Sequence, residues 1–172
     1  MFTSIDLLRY HEMAHEGLRR MMEHVLTLPQ EKFRQPLEGF AAPSVRAQLC
    51  HMLDVEAFWV KAIQGGGADH DWEHAEDLQS PPELEAYRME VAAATRRWLE
   101  SESDEALNSE REVNDNGWFN TGIPAEMLLH LMTHAYHHKG QIVAMCRQLG
   151  HPAPMTDMVW IGLQLGEGEE RQ

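Results

Sequence analysis

Apolar residues around a run of histidines recur at helical spacing, and this pattern constrains the fold more than any other stretch. The run 130–141 reads HLMTHAYHHKGQ and contains four of the eleven histidines of the chain. The apolar residues that share the three- and four-residue spacing are Met127, Leu128, Leu131, Ile142, Val143 and Met145. Four steps of about 100° return a helical side chain to within about 40° of its starting direction. His130, His134 and His138 therefore form one stripe on the apolar face, whereas His137 points about 100° away from His138.

Three further segments have the same helical period, which predicts an all-α chain. The first helix covers about 4–28, the second about 45–63, and the third about twenty residues from Pro81. The histidine-bearing helix is predicted to begin at Pro124 and to end at Gly150. Four long amphipathic helices predict an antiparallel four-helix bundle, a fold that builds cofactor sites from facing helices in its core.

The remaining segments are predicted to connect these helices. Segments 29–43, 68–80 and 101–122 are rich in polar or turn-forming residues, and none shows a β-pattern of any length. A short fifth helix is predicted over 155–165, followed by a flexible acidic tail at 166–172. A chain of 172 residues without an obvious repeat is expected to form a single domain.

Charge and composition argue against several classes of protein. The formal net charge of −14 disfavours nucleic acid or an anionic membrane surface as a partner. No apolar run approaches the ~20 residues that span a bilayer, and the first residues lack the basic and apolar regions of a signal peptide. Cys50 and Cys146 form neither a disulfide framework nor a CxxC motif. We therefore expect a reduced, cytoplasmic protein that acts on a small molecule.

The histidine spacing predicts a metal site. Histidines at positions i and i+4 of a helix direct two imidazoles toward one point, as in helical zinc sites. His134 and His138 form such a pair, and so do His130 and His134. One helix face cannot surround an ion, so a third ligand must come from elsewhere, and His51 in the second helix is the best candidate. Three neutral nitrogens leave a coordination position open for water or substrate, which is typical of catalytic sites.

With these residues identified, the chain resembles the DinB/YfiT-like superfamily of metal-binding four-helix bundles. The motif HAYHHKGQ at 134–141, together with His51, carries the resemblance, which extends over nearly the whole chain. It implies His51, His134 and His138 as the ligands of a divalent metal, often nickel or zinc, and frequently a homodimer. Some members are S-transferases that use low-molecular-weight thiols such as bacillithiol or mycothiol. Lys139 departs from the pattern, because arginine is common at that position.

Three further polar residues are candidates for roles around the metal. His130 is predicted to support the ligands from behind or to lie in the core, rather than to bind the ion. Asp54, one turn after His51, is a candidate general base or a residue that orients an imidazole; a solvated or capping role is an equal alternative. His11, on the first helix, is a candidate donor in the wall of the pocket, and His137 is expected at the surface or at an interface.

The first helix also contains a match to the zinc-peptidase motif HExxH. The match is His11-Glu12-Met13-Ala14-His15, near the N-terminus and without the strand-rich upstream lobe of such enzymes. Helical spacing directs His11 to the core, His15 to the edge of the apolar stripe and Glu12 away from it. We therefore disfavour a metalloprotease.

Three functions remain open from the sequence. The first is a metal-dependent enzyme that activates a thiol or water, either a thiol S-transferase or a hydrolase. The second is a metal-binding or sensing module without turnover. The third is a structural or dimerisation bundle whose histidines lie in the core. Imidazole ligands suit zinc, nickel, copper and iron alike, so the residues alone do not identify the metal.

Overall fold

Four long helices form the frame of the molecule, as the sequence predicts. The computed structural model describes residues 1–66, 70–72, 74–115, 117–159 and 161. In chain order its elements are α1 (Ser4–Val25), α2 (Gln30–Arg34), α3 (Val45–Ile63), α4 (His74–Asp77), α5 (Pro81–Ser101), α6 (Asp104–Asn108), β1 (Arg111–Asp115), β2 (Trp118–Gly122) and α7 (Pro124–Gln148). Helix α3 packs against both α5 and α7, and α1 packs against the same two helices. The prediction of an all-α helical bundle is confirmed.

Local sequence signals set the ends of the long helices. Thr3 caps α1, because its side-chain oxygen accepts a hydrogen bond from the backbone N–H of Asp6. Ser44 caps α3 in the same way, accepting from Ala47 at 3.1 Å. Gly150 follows α7 with a φ of 81°, a left-handed conformation that glycine adopts without steric cost. Ser44 and Gly150 thereby mark the start of α3 and the end of α7, the helices that carry the predicted metal ligands.

The segments predicted as plain connections contain short elements instead. Segment 29–43 includes α2, and segment 68–80 includes α4. Segment 101–122 includes α6 and an antiparallel two-stranded sheet of β1 and β2, so the expectation of no β-structure is wrong. In this small sheet only Val113 is buried, and no residue of β2 is buried. The strands therefore lack the apolar alternation by which a sequence reveals β-structure.

Strand β2 begins with two exposed aromatic residues directly after Gly117, which lies in a turn. Gly117 has a φ of 88°, and its N–H donates to Oδ1 of Asn114 at 2.9 Å. Trp118 and Phe119 follow the turn, with 77% and 63% of their surfaces exposed. Of the predicted fifth helix, residues 160 and 162–165 lie outside the described residues, as does the predicted tail at 166–172. Among the described residues, no helix combines the length and apolar character needed to cross a membrane.

Two apolar clusters fill the bundle, and buried polar residues lie at the boundary between them. One cluster includes Leu18, Met21, Leu49, Leu53, Val91 and Met145. The other includes Leu7, Ala14, Val60, Trp98, Leu99 and Leu128. His15, Glu56 and Thr95 are buried, and each falls where its helix passes from one cluster to the other. Buried polar groups are costly unless they are hydrogen-bonded, so this layer calls for a chemical explanation.

Candidate metal centre

His51, His134 and His138 converge between α3 and α7. We call this group the three-histidine site. One nitrogen from each imidazole lies within 4.8 Å of the others. The ring centroids are 5.2 Å apart for His51 and His134, and 4.7 Å apart for His51 and His138. The structure therefore brings together the three residues that the spacing and the resemblance select.

Facing nitrogens characterise the pair on α7. Nε2 of His134 lies 3.1 Å from Nε2 of His138. Burial lowers the pKa of His134 to about 4, and the nearby His51 adds to this effect. Burial likewise lowers the pKa of His138 to about 4, and the nearby His134 and His51 add to this effect. Both imidazoles are thus neutral at pH 7 and can offer lone pairs to a metal ion.

Gln48 fixes the tautomer of His138, a role that sequence reasoning missed. Its Nε2 donates to the carbonyl of Ala42 at 2.8 Å and to Oε1 of Gln141 at 2.6 Å, which sets the orientation of the amide. Its Oε1 then lies 2.5 Å from Nδ1 of His138 and accepts the proton of that nitrogen. Because Nδ1 carries the proton, Nε2 of His138 has a free lone pair. Gln48 is completely buried, which holds this arrangement in place.

A cavity of about 710 Å³ opens beside the three-histidine site. Its wall includes His51, His138, Asp54, Cys50 and Arg46. This volume is within the range of small-molecule pockets. Cys50 donates from Sγ to the carbonyl of Ala75 at 3.0 Å, and burial raises its pKa to about 11. It is therefore a neutral, hydrogen-bonded thiol at pH 7.

Asp54 lies buried in the wall of this cavity rather than in solvent. Its Oδ1 accepts from the hydroxyl of Tyr87 at 3.0 Å and lies 2.9 Å from Nε2 of His70. Burial raises the pKa of Tyr87, and the charge of Asp54 raises it further, so the phenol stays protonated and donates. Asp54 thus sits one turn from His51 with its orientation fixed by two partners.

The other predicted residues are not among the converging nitrogens, although His137 lines the cavity beside them. His130 is exposed, its ring centroid is 6.2 Å from that of His134, and it lines a different cavity with Trp59. His137 is exposed, as expected, and accepts from Nε2 of Gln141 at 2.6 Å. His11 is buried on α1, where Glu56 of α3 is its hydrogen-bond partner.

The donor set fits a divalent metal. Neutral imidazole is a common ligand of zinc, nickel and copper. The site runs from the exposed His51 to the buried His138, so one side of a bound ion would face the cavity. A metal-binding histidine usually donates its other N–H to an acceptor, which is the contact that Gln48 makes with His138.

The fold and the site together define a helical bundle with a histidine cluster between two of its helices. The sequence model of the DinB family matches residues 1–167, and the chain belongs to this family. Protein DinB of Bacillus subtilis (strain 168) is 26% identical over 160 residues, which cover 90% of each chain. The crystal structure of a DinB-like protein from Bacillus subtilis superposes with a TM-score of 0.62. The superposition covers 88% of this chain and 97% of the Bacillus subtilis chain at 17% sequence identity, and it supports the fold alone.

Proposed function

We propose that the three-histidine site binds a divalent metal ion and that the protein is a metal-dependent enzyme. The observation that carries this proposal is the convergence of three imidazole nitrogens, two of them from residues that line a substrate-sized cavity, His51 and His138. A metal held there by His51, His134 and His138 would supply Lewis acidity, which lowers the pKa of a bound thiol or water. Nickel and zinc are the metals that we favour.

The surrounding side chains suit the same purpose. Gln48 holds His138 in the metal-binding tautomer. Asp54, fixed by Tyr87 and His70, faces the same cavity and is positioned to accept a proton from a substrate. Arg46, also in the wall, donates to the carbonyls of Leu78 and Glu76 and brings a positive charge for a carboxylate-bearing substrate.

The reaction that we favour is transfer to or from a low-molecular-weight thiol, with hydrolysis as the second possibility within the same mechanism. A thiol in the cavity would lose its proton to Asp54 or to solvent, and the resulting thiolate would attack an electrophilic carbon of the substrate. The new carbon–sulfur bond would form as the bond from that carbon to the leaving group breaks, and the leaving group would depart with the bonding electrons and take up the proton from Asp54 or solvent. In hydrolysis, water would take the place of the thiol. Membership of the DinB family supports the metal site more directly than it supports either reaction.

The first experiment measures metal content in protein purified without a His-tag. We expect one equivalent bound at the three-histidine site, and loss of that equivalent in His134→Ala. A panel of thiols and electrophiles is then tested for thiol consumption, with His138→Ala as the inactive control. Bound metal without any thiol consumption would favour a metal-binding or sensing module. Absence of metal in both proteins would leave a structural bundle.

Three further expectations belong to the same proposal. We propose a small-molecule substrate, a homodimer and a cytoplasmic location. Sedimentation velocity at micromolar concentration tests the homodimer, and a monomer throughout the concentration range would contradict it.

A further inference from the structure

His11, His15 and Glu56 form a second cluster, which we call the His–His–Glu cluster. The three residues are 2%, 6% and 3% exposed. Nε2 of His11 lies 3.0 Å from Oε1 of Glu56, and Nε2 of His15 lies 3.0 Å from Oε2. One ligand-type atom from each residue lies within 4.8 Å of the others. Two histidines and one carboxylate thus converge inside the bundle.

This cluster is distinct from the three-histidine site. Glu56 follows His51 by five residues on α3, which corresponds to about 7.5 Å along the helix and about 140° around it. His51 faces α7, whereas Glu56 contacts His11 and His15 of α1. The two groups therefore use opposite sides of the same helix.

The cluster contains a buried carboxylate, Glu56, that three side chains contact at hydrogen-bond distance. Burial opposes ionisation of Glu56, but His15 and His11 outweigh it and hold the pKa of this carboxyl well below its usual range. Burial lowers the pKa of His11, which is therefore neutral at pH 7. Thr95 adds a hydroxyl that donates to Oε1 of Glu56 at 2.8 Å. A buried carboxylate is costly without a compensating cation.

Arg88 determines the proton position on His15. Nη1 of Arg88 lies 3.5 Å from Nδ1 of His15, and a guanidinium only donates. Nδ1 is therefore the nitrogen without a proton, and Nε2 donates to Glu56. In this arrangement the contact between Nε2 of His15 and Glu56 is the one that a bound ion would replace. The guanidinium itself is held by Glu85 through two hydrogen bonds of 2.7 Å.

Ions can reach the cluster from solvent. A cavity of about 310 Å³ lies between α1 and α5, and both His11 and His15 form part of its wall. Glu12 and Glu16 line the same cavity, but each is paired with arginine, Glu12 with Arg96 and Glu16 with Arg19, so their charges are already balanced. Three protein ligands would leave a position for water from this side.

We propose that the His–His–Glu cluster is a second divalent-metal site, of the kind that takes zinc. Two imidazole nitrogens and one carboxylate oxygen are a ligand set that zinc uses in proteins. Binding requires that His15 carries its proton on Nδ1 instead of Nε2, and that Arg88 withdraws from Nδ1 toward Glu85. The ion then replaces the protons through which both imidazoles contact Glu56, and it neutralises the carboxylate.

The site is not that of a peptidase. In the zinc-peptidase motif the glutamate after the first histidine acts as general base. Here Glu12 is exposed, and its Oε1 accepts from Nη1 of Arg96 at 2.6 Å. Arg96 holds its carboxylate and makes it a poor general base, so we expect the second ion to stabilise the bundle rather than to hydrolyse a substrate.

The experiment isolates the second site by removing the first. In a His51→Ala/His134→Ala protein, zinc binding is measured by equilibrium dialysis, and cobalt(II) spectra report the coordination. We expect two equivalents of zinc in the wild type and one in this double variant. Adding Glu56→Gln should weaken the remaining site at least 100-fold, whereas adding Glu12→Gln should leave it unchanged.

Two further results test the proposal without relying on a substituted carboxylate. Adding Arg88→Gln to the double variant should tighten zinc binding about tenfold, because the amide carbonyl can accept the proton on Nδ1 of His15. A folded double variant that binds neither zinc nor cobalt would overturn the proposal. This outcome is independent of the three-histidine site, whose loading is measured separately in the Glu56→Gln protein.

Discussion

Gln48 is the residue whose removal tests the three-histidine site without touching a ligand. Its carbonyl holds the Nδ1 proton of His138. Loss of such a partner typically lowers metal affinity by about 10–100-fold. We expect this loss in Gln48→Leu, measured as the zinc dissociation constant in competition with a chelator. The substitution keeps the volume of a side chain that is completely buried.

His137→Ala provides the matched control for that measurement. His137 neighbours His138 in the sequence, but it is exposed and contacts Gln141. Its removal should change zinc affinity by less than about twofold. Equal losses in the two variants would mean that Gln48 does not orient His138.

Glu12 tests whether the HExxH match has catalytic meaning. Because Glu12 pairs with Arg96 at the surface, Glu12→Gln should leave turnover with the preferred thiol and electrophile unchanged. Solvent screens an exposed ion pair of this type, so its loss should have little effect on stability and the protein should also fold normally. Complete loss of activity, assayed beside the His138→Ala protein, would restore the peptidase interpretation.

The sequence revealed individual residues to the extent that helical periodicity constrains them. The pair His134 and His138 follows from a four-residue spacing, and His51 needed only a second helix to supply it. Gln48 lies three residues before His51, but glutamine carries no metal-binding signal of its own. His15 was expected at the edge of a stripe and is buried, because Arg88 and Thr95 of α5 lie beside the cluster to which it belongs. The periodicity of α1 does not reveal which residues of α5 pack beside it.

Helix α7 contains a glycine that its packing does not require. A glycine in a helix costs about 1 kcal/mol relative to alanine. A Cβ at Gly140 would meet nothing within 4 Å, so Gly140→Ala should raise the free energy of unfolding by about this amount. Urea denaturation of the two proteins under identical metal loading measures the difference.

Gly17 of α1 is the matched comparison. A Cβ there would lie 3.2 Å from the hydroxyl of Tyr136 and 3.2 Å from Cδ1 of Ile161. Gly17→Ala should therefore raise the free energy of unfolding less than Gly140→Ala does, because crowding at Gly17 offsets the helical preference of alanine. An equal gain at both positions would contradict the packing between α1 and α7.

Long elements were predictable, and short ones were not. Each long helix presents its apolar stripe over five or more turns, and caps such as Thr3 and Ser44 add independent signals. Helices α2 and α6 have five residues each and bury a single side chain, Phe33 and Leu107 respectively. One buried residue cannot define a period. The same argument applies to β1, whose one buried residue is Val113.

At the scale of the whole molecule, one polar residue on each long helix lies near the boundary between the two apolar clusters. His15, Glu56 and Thr95 separate the two apolar clusters on α1, α3 and α5. On α7, His134 lies at the same boundary, because Met132 belongs to one apolar cluster and Ala135 to the other. A bundle with a continuous apolar core would bury more hydrophobic surface. The interruption therefore gives up some hydrophobic stabilisation, which metal binding can restore.

Metal removal should consequently lower the stability of the whole chain. An ion that binds only the folded state adds about 2.7 kcal/mol when its free concentration is 100 times the dissociation constant. For a chain of this size, each kcal/mol shifts the midpoint of thermal unfolding by about 2–4 °C, so one site should account for about 5–10 °C. Calorimetry of wild-type protein with zinc and after chelation measures this shift.

Site variants divide the shift between the two metal sites. The His51→Ala/His134→Ala protein should lose the part of the thermal shift that comes from the three-histidine site. It should keep the part that comes from the His–His–Glu cluster. Adding Glu56→Gln should abolish the remaining response to chelation, whatever its effect on the midpoint of the metal-free protein. Since the response is a difference within one protein, it separates metal binding from the structural cost of each substitution. A wild type whose midpoint is the same with and without zinc would show that neither cluster binds the ion tightly enough to stabilise the bundle.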